Sequence, residues 1–239
     1  MSATGTPVTI PPETLLPPDA SRFARLRSSV VRGLAAQALP HRMAFIHGDR
    51  RGPKRVALTF DDGPDELTHR YLELLDAYGV RATFFLIGSR AERRPDAVKA
   101  LVTAGHEVAG HGFTHKAFPV LGAAALSDEL LHTRDVLPPT TTARPLVRPP
   151  KGAVTGGSLF RTFAAGFTTV LWSLDSNDCR TVTPQRVVDA VRPEAVRPGE
   201  VVLLHEGQEW TLAALHTIIP RLRASGYELV TVGELLSEA

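Results

Sequence analysis

The sequence predicts an α/β fold built on a parallel sheet, and three observations predict it. Short β-rich runs alternate with helical runs beyond Gly52, as repeated βα units do. Several helical runs end at a glycine, Gly79, Gly105 or Gly226, the usual C-terminal cap. Runs such as Val56-Ala57-Leu58-Thr59-Phe60 and Val201-Val202-Leu203-Leu204 are largely apolar, which suits strands buried on both faces, in a barrel or a doubly wound sheet.

Taken in order, residues 1–19 are rich in Pro and Thr without periodicity and read as an extended arm. In residues 20–39, Phe23, Leu26, Val30 and Leu34 recur at helical spacing among Arg22, Arg25, Arg27 and Arg32. That pattern predicts an amphipathic helix laid across the domain, with a membrane surface as the alternative role. Seven strands are expected, at residues 56–60, 82–87, 107–109, 146–148, 168–173, 201–205 and 228–231. Helices are expected between them at 66–77, 94–104, 121–136, 184–191 and 211–224. The division that follows is an N-terminal extension over 1–53 and one catalytic domain over 54–239.

With 239 residues, 43% of them hydrophobic, the chain can bury a sizeable core within one domain. Its 27 basic and 25 acidic residues leave a formal charge of +2, and no block of one sign suggests a nucleic-acid tail. The single cysteine, Cys179, excludes a disulfide within the chain and suits a reducing compartment. The N-terminus lacks the early charge and apolar core of a secretory signal, and no stretch reaches membrane-spanning length. A cytoplasmic location is the expectation.

Chemistry-bearing residues fall at or just past the ends of the expected strands: Asp61 and Asp62 after the first, His111 after the third, Arg148, Asp175 and His205 at the later ones. In a parallel barrel that edge is where active sites are built. Asp61-Asp62-Gly63-Pro64 sets two carboxylates on a sharp turn, so one can bind a cation while the other reaches a water; it is equally good turn chemistry. His111-Gly112-Phe113-Thr114-His115 carries two imidazoles at a spacing that suits a divalent transition metal. Two histidines and one carboxylate would leave coordination positions open, the catalytic pattern rather than the closed structural one. Arg148-Pro149-Pro150-Lys151-Gly152 joins a fixed charge to a stiff turn whose N–H groups can face an oxyanion. Asp175-Ser176-Asn177-Asp178 and His205 bring a carboxylate toward an imidazole, a pairing that raises a histidine's pKa and equips it as a general acid.

Together, Thr59 to Gly63, His111 to His115, Arg148 to Gly152, Asp175 to Cys179 and Leu203-Leu204-His205 resemble the five ordered motifs of the polysaccharide deacetylases. This is carbohydrate esterase family four, which shares a homology domain with the nodulation-factor deacetylase. The resemblance covers about residues 54–236. It implies a distorted (β/α) barrel, often of seven strands, and one divalent ion, commonly zinc, with cobalt or nickel able to serve. It further implies that Asp61 is the general base, Asp62, His111 and His115 the metal ligands, and Arg148 the partner that orients the base. By the same likeness the Lys151 N–H donates to the oxyanion, Leu203 lines the acyl-methyl pocket, His205 is the general acid and Asp178 tunes it. Pro149 and Cys179 fall in the same motifs and are taken as substrate contacts.

Lys151 and Cys179 stand where the family more often has Tyr and Trp. Lys151 is expected to point to solvent, and Cys179 to be a buried, inert thiol rather than a soft ligand. Gly112 replaces a frequent Ser or Thr, removing a loop-stabilising hydroxyl but no ligand. The implied activity is removal of an acetyl group from an N-acetylated amino sugar. A cytoplasmic amidohydrolase or deacylase of a small metabolite or glycoconjugate precursor is the first alternative, and a non-catalytic carbohydrate-binding relative the second.

Overall fold

The structure, a computed structural model, describes residues 40–238. In chain order it contains β1 (Ala44–Phe45), β2 (Arg55–Asp61), α1 (Thr68–Ala77), β3 (Thr83–Leu86), α2 (Gly88–Arg93), α3 (Pro95–Thr103) and β4 (Glu107–Gly110). There follow α4 (Ala123–Val136), β5 (Leu146–Val147), α5 (Gly156–Ala164), β6 (Thr168–Val170), β7 (Leu174–Asp175), α6 (Pro184–Ala190), β8 (Glu200–His205), α7 (Glu209–Ala224), β9 (Glu228–Val230) and α8 (Val232–Ser237).

All nine strands lie in one sheet, ordered β1-β6-β5-β4-β3-β2-β8-β7, with β9 also pairing β2. Every ladder is parallel. Strands β6 and β7 belong to one stretch, residues 168–175, whose first part pairs with β5 and whose second part pairs with β8. Because β8 pairs with β2 as well, the ladder returns on itself and the sheet curls into a distorted barrel.

The period of two along β2 explains what faces where. Val56, Leu58 and Phe60 pack outward against Tyr71 and Leu75 of α1 and Leu215 and Ile219 of α7. Ala57 turns inward to meet Phe85, Val201 and Val230, and Thr59 and Asp61 continue that inward file. Burial of each large side chain in these two layers contributes about 1.5–3 kcal/mol. The layers thus hold Asp61 at the mouth of the barrel interior.

Seven strands were expected, and the structure has nine. The seven all form; the two additions are β1 and β7, each of two residues, too short to carry a periodic pattern. Strand β1 pairs with β6 although it falls within the segment expected to be extension. Three further helices were not expected: α2 and α8 have only six residues each, and α5 opens on two glycines. The expected amphipathic helix over 20–39 lies outside the described residues. Among those described, no helix is long and apolar enough to cross a membrane.

Candidate active site

Asp61 ends β2 as a buried carboxylate. Arg148, directly after β5, is 0% exposed and donates from Nη1 to Asp61 Oδ1 at 2.6 Å and to Thr59 Oγ1 at 2.8 Å, and from Nη2 to the Leu171 carbonyl at 3.2 Å. Its guanidinium lies 4.0 Å from the centre of the Phe85 ring. Burial pulls the Arg148 pKa down and the Asp61 charge pushes it back up. Such a pair is mutually dependent, since removing either member strands a buried charge at a cost of about 3–5 kcal/mol.

One residue on, the backbone of Asp62 turns into the left-handed region at φ 74°, and the carboxylate swings away from Asp61 toward the loop after β4. His111 is buried, and its Nδ1 lies 2.7 Å from the Arg148 carbonyl. That acceptor places the proton on Nδ1 and leaves the Nε2 lone pair free. Burial lowers the His111 pKa against the pull of Asp61 and Asp62, so the ring is neutral. His111 Nε2 and His115 Nε2 lie 3.5 and 3.2 Å from Asp62 Oδ1. Although burial opposes its ionisation, His115, His111 and His205 hold the Asp62 carboxyl at about 2.

The donor set fits a divalent cation. Donor atoms of Asp62, His111 and His115 lie within 4.8 Å of one another, and Asp62 Oδ1 is buried without a hydrogen-bond partner among the described residues. Two imidazoles and a carboxylate are ligands a borderline transition metal accepts, with positions left for water and substrate.

Two buried glutamates that the sequence reading did not single out shape this side. Glu129 on α4 accepts from the Phe113 and Thr114 N–H groups at 2.6 and 2.8 Å and from the Thr114 hydroxyl. It thereby holds the loop whose ends are His111 and His115, a task Gly112 cannot perform. Glu129 shares a helix face with buried Leu126, Leu130 and Thr133. Glu206 accepts from Thr68 Oγ1 at 2.5 Å, and its N–H donates to the Asp61 carbonyl at 2.9 Å. Burial raises its carboxyl to about 8. Its Oε2 occupies the space where a Cβ on Gly63 would lie, so a side chain there would require the Glu206 carboxyl group to move.

Across the pocket, Asp178 is fully buried. Its Oδ1 lies 2.7 Å from His205 Nδ1, and its Oδ2 accepts from the His205 N–H and Thr211 Oγ1, each at 2.8 Å. Its carbonyl accepts from Trp210 Nε1 at 2.8 Å. Burial would lower the His205 pKa, but Asp178, with Asp61 and Asp62 behind it, raises it to about 9. His205 is therefore charged at neutral pH.

These side chains meet in a cavity of about 250 Å³ lined by Asp61, Asp62, His111, His115, Lys151 and His205, with Leu203 and Cys179 among its walls. Arg148 and Asp178 lie behind it, in contact with Asp61 and His205. Lys151, exposed at φ 61°, interrupts the turn Pro150–Gly152. Pro149 is buried and does not line the cavity; its carbonyl instead accepts from the Gly152 N–H at 2.9 Å, which closes the turn. Cys179 is exposed, contrary to the buried thiol expected, because the short turn Asp178–Arg180 sends Asp178 inward and its neighbours outward. Partial burial and the Asp178 charge raise its pKa, so the thiol is protonated.

With this geometry in hand, the likeness to known proteins is specific. A peptidoglycan-N-acetylglucosamine deacetylase of Bacillus cereus is 40% identical over 195 residues, covering 77% of this chain and 88% of that one. A chitooligosaccharide deacetylase of a Bradyrhizobium species is 34% identical over 206 residues, 79% of this chain and 94% of the other. A family 4 carbohydrate esterase from Streptomyces lividans, solved in complex with acetate, superposes with a TM-score of 0.69 at 34% identity, over 74% of this chain and 91% of that one. Residues 48–170 match the polysaccharide deacetylase family, and the chain belongs to that family.

Proposed function

We propose that the protein is a metal-dependent hydrolase that removes the acetyl group from an N-acetylated amino sugar, through the catalytic unit of residues 54–239. The observation that carries this reading is the opposition, across one cavity, of an Arg148-held Asp61 beside three convergent donors and a charged His205 held by Asp178. The relatives named above, a peptidoglycan-N-acetylglucosamine deacetylase and a chitooligosaccharide deacetylase, support the substrate class. Asp62, His111 and His115 are the ligands in this reading and zinc the preferred ion, with cobalt or nickel able to replace it.

A divalent cation bound there supplies Lewis-acid polarisation of the acyl carbonyl and of water. Asp61, held in place by Arg148, takes a proton from the water as its oxygen bonds to the carbonyl carbon. The backbone N–H of Lys151 donates to the oxyanion that develops, and Leu203 packs against the acyl methyl. The C–N bond then breaks as His205 gives its proton to the departing nitrogen. Acetate and a free amine leave, and the proton held on Asp61 restores His205 through solvent.

Acetate release from N-acetylglucosamine oligomers, with and without chelator, tests the proposal. Release that stops with chelator and returns with zinc is expected; release insensitive to both, or none from any N-acetylated sugar, overturns it. A second reading, a small N-acetylated metabolite or glycoconjugate precursor as substrate, is favoured by exposed Cys179, which offers no aromatic face for a sugar ring. Oligomers turned over faster than monomeric conjugates would decide against it.

A further inference from the structure

Beside the catalytic turn lies a second recess, of about 620 Å³, that the hydrolytic chemistry does not use. Its walls include Pro64, Gly207, Arg90, Arg93 and Arg94. Pro64 follows the Asp61-Asp62-Gly63 turn, and Gly207 comes two residues after His205, so two segments that line the catalytic cavity run on into the recess. Arg90 makes the connection direct: its Nη1 donates to the Asp62 carbonyl at 2.6 Å.

The three arginines stand at positions i, i+3 and i+4 on and just beyond α2, which puts them on one side of a single turn. Like charges so arranged repel, and the negative end of a six-residue helix does not call for three of them. Two carboxylates share the recess. Asp65 is committed to capping the Leu67 N–H at 2.7 Å. Glu66, its side chain 91% exposed, approaches Arg94 only to 3.7 Å. Among the described residues Arg93 has neither an ion pair nor a hydrogen bond. Positive charge is thus in surplus, and planar guanidinium groups with free donors stand ready for a forked acceptor.

Building on the de-N-acetylase reading, we propose that this recess is an anion subsite, which receives an acidic substituent, a carboxylate or a phosphate, carried by the glycan next to the sugar being deacetylated. Both groups present the paired oxygens a guanidinium recognises. The subsite makes the enzyme selective for acidic amino-sugar polymers over neutral ones of equal length.

The test compares wild type with R93Q/R94Q, leaving Arg90 intact because it holds Asp62. Three tetramers of N-acetylglucosamine serve as substrates: one neutral, one bearing a carboxylate and one bearing a phosphate monoester. The double variant is expected to lose about tenfold in kcat/KM on an acidic tetramer, mainly through KM, and to stay within about twofold on the neutral one. A loss confined to one acidic tetramer identifies which group the recess takes. Equal change on all three tetramers, or none on either acidic one, overturns the subsite. The wild-type preference for acid should also shrink as salt rises from about 0.05 to 0.5 M. Calorimetric binding of the already deacetylated acidic tetramers needs no turnover. About tenfold weaker binding of an acidic product by R93Q/R94Q is expected there, and equal affinity for both would reject the subsite. A wild-type enzyme inert on every tetramer would reject the de-N-acetylase reading instead, with calorimetry still deciding the recess.

Discussion

On one side of the pocket His111 is buried and neutral, its proton on Nδ1 toward the Arg148 carbonyl and its Nε2 open to the cavity. On the other side His205 is charged, its Nδ1 and its backbone N–H both bound by Asp178. Each histidine belongs to a trio of donor atoms compact enough for a cation: Asp62, His111 and His115 in one case, Asp178, Cys179 and His205 in the other. Yet the second trio is already satisfied, since both Asp178 oxygens accept hydrogen bonds, whereas Asp62 Oδ1 has no hydrogen-bond partner among the described residues. Proximity of donors does not distinguish a metal site from a proton relay. The distinction lies in which atoms already carry or accept a proton.

The largest effect that would break this contrast is at the base. Asp61→Asn is expected to lower turnover by about 10²–10⁴-fold while zinc still binds one per chain by calorimetry, because Asp61 is not among the proposed ligands. Loss of zinc together with activity would place Asp61 in the first trio and void the division of labour between the two aspartates.

Next in size is the acid. His205→Gln is expected to slow amide substrates by about 10²-fold and activated esters far less, because an activated leaving group needs little help from a proton. In wild type the rate should fall as pH climbs toward about 9, where His205 loses its proton; a bound divalent cation repels that proton and draws the midpoint lower. The same ionisation bears on stability. A pKa raised above the usual histidine value means that the Asp178–His205 pair stabilises the fold fully below about 6.5 and ceases to do so as pH rises through about 9. Asp178→Asn should shift the basic limb of the pH–rate profile to lower pH. A limb that stays in place would show that another group supplies the proton.

The smallest expected effect sharpens the contrast from the opposite direction. Cys179→Ser should leave zinc at one per chain, with activity within about twofold, since the protonated, exposed thiol belongs to the trio whose Asp178 and His205 are already bound to each other. A fall from two ions to one would make the second trio a metal site after all.

What the sequence disclosed follows from the length scale of each signal. β2 and β8 were legible because long apolar runs report burial directly. β1 and β7 were not, because a two-residue ladder owes its existence to partners distant in the chain. Asp61, Asp62, His111, Arg148 and His205 stood out as polar groups at strand ends, and His115 and Asp178 through the motifs around them; the fold brings all seven to one cavity or directly behind it. Pro149 lies off the cavity lining, because a motif position says nothing of which way a turn faces. Glu129 and Glu206 escaped notice because their roles arise from tertiary approach: each looks like an ordinary acidic residue until the loop or turn it supports comes to rest against it.

Gly63 bears on how variation in this protein should be interpreted. It has no functional group, yet a side chain placed there would collide with the buried Glu206 carboxyl group beneath the turn that carries two aspartates and force that group to move. A saturation screen would therefore score Gly63 with the chemically active residues, and such a score would measure the room available beneath the turn rather than reactivity. Partial rescue of an alanine at that position by shortening Glu206 to Asp would expose the difference, since no shortening elsewhere can restore a missing base or acid.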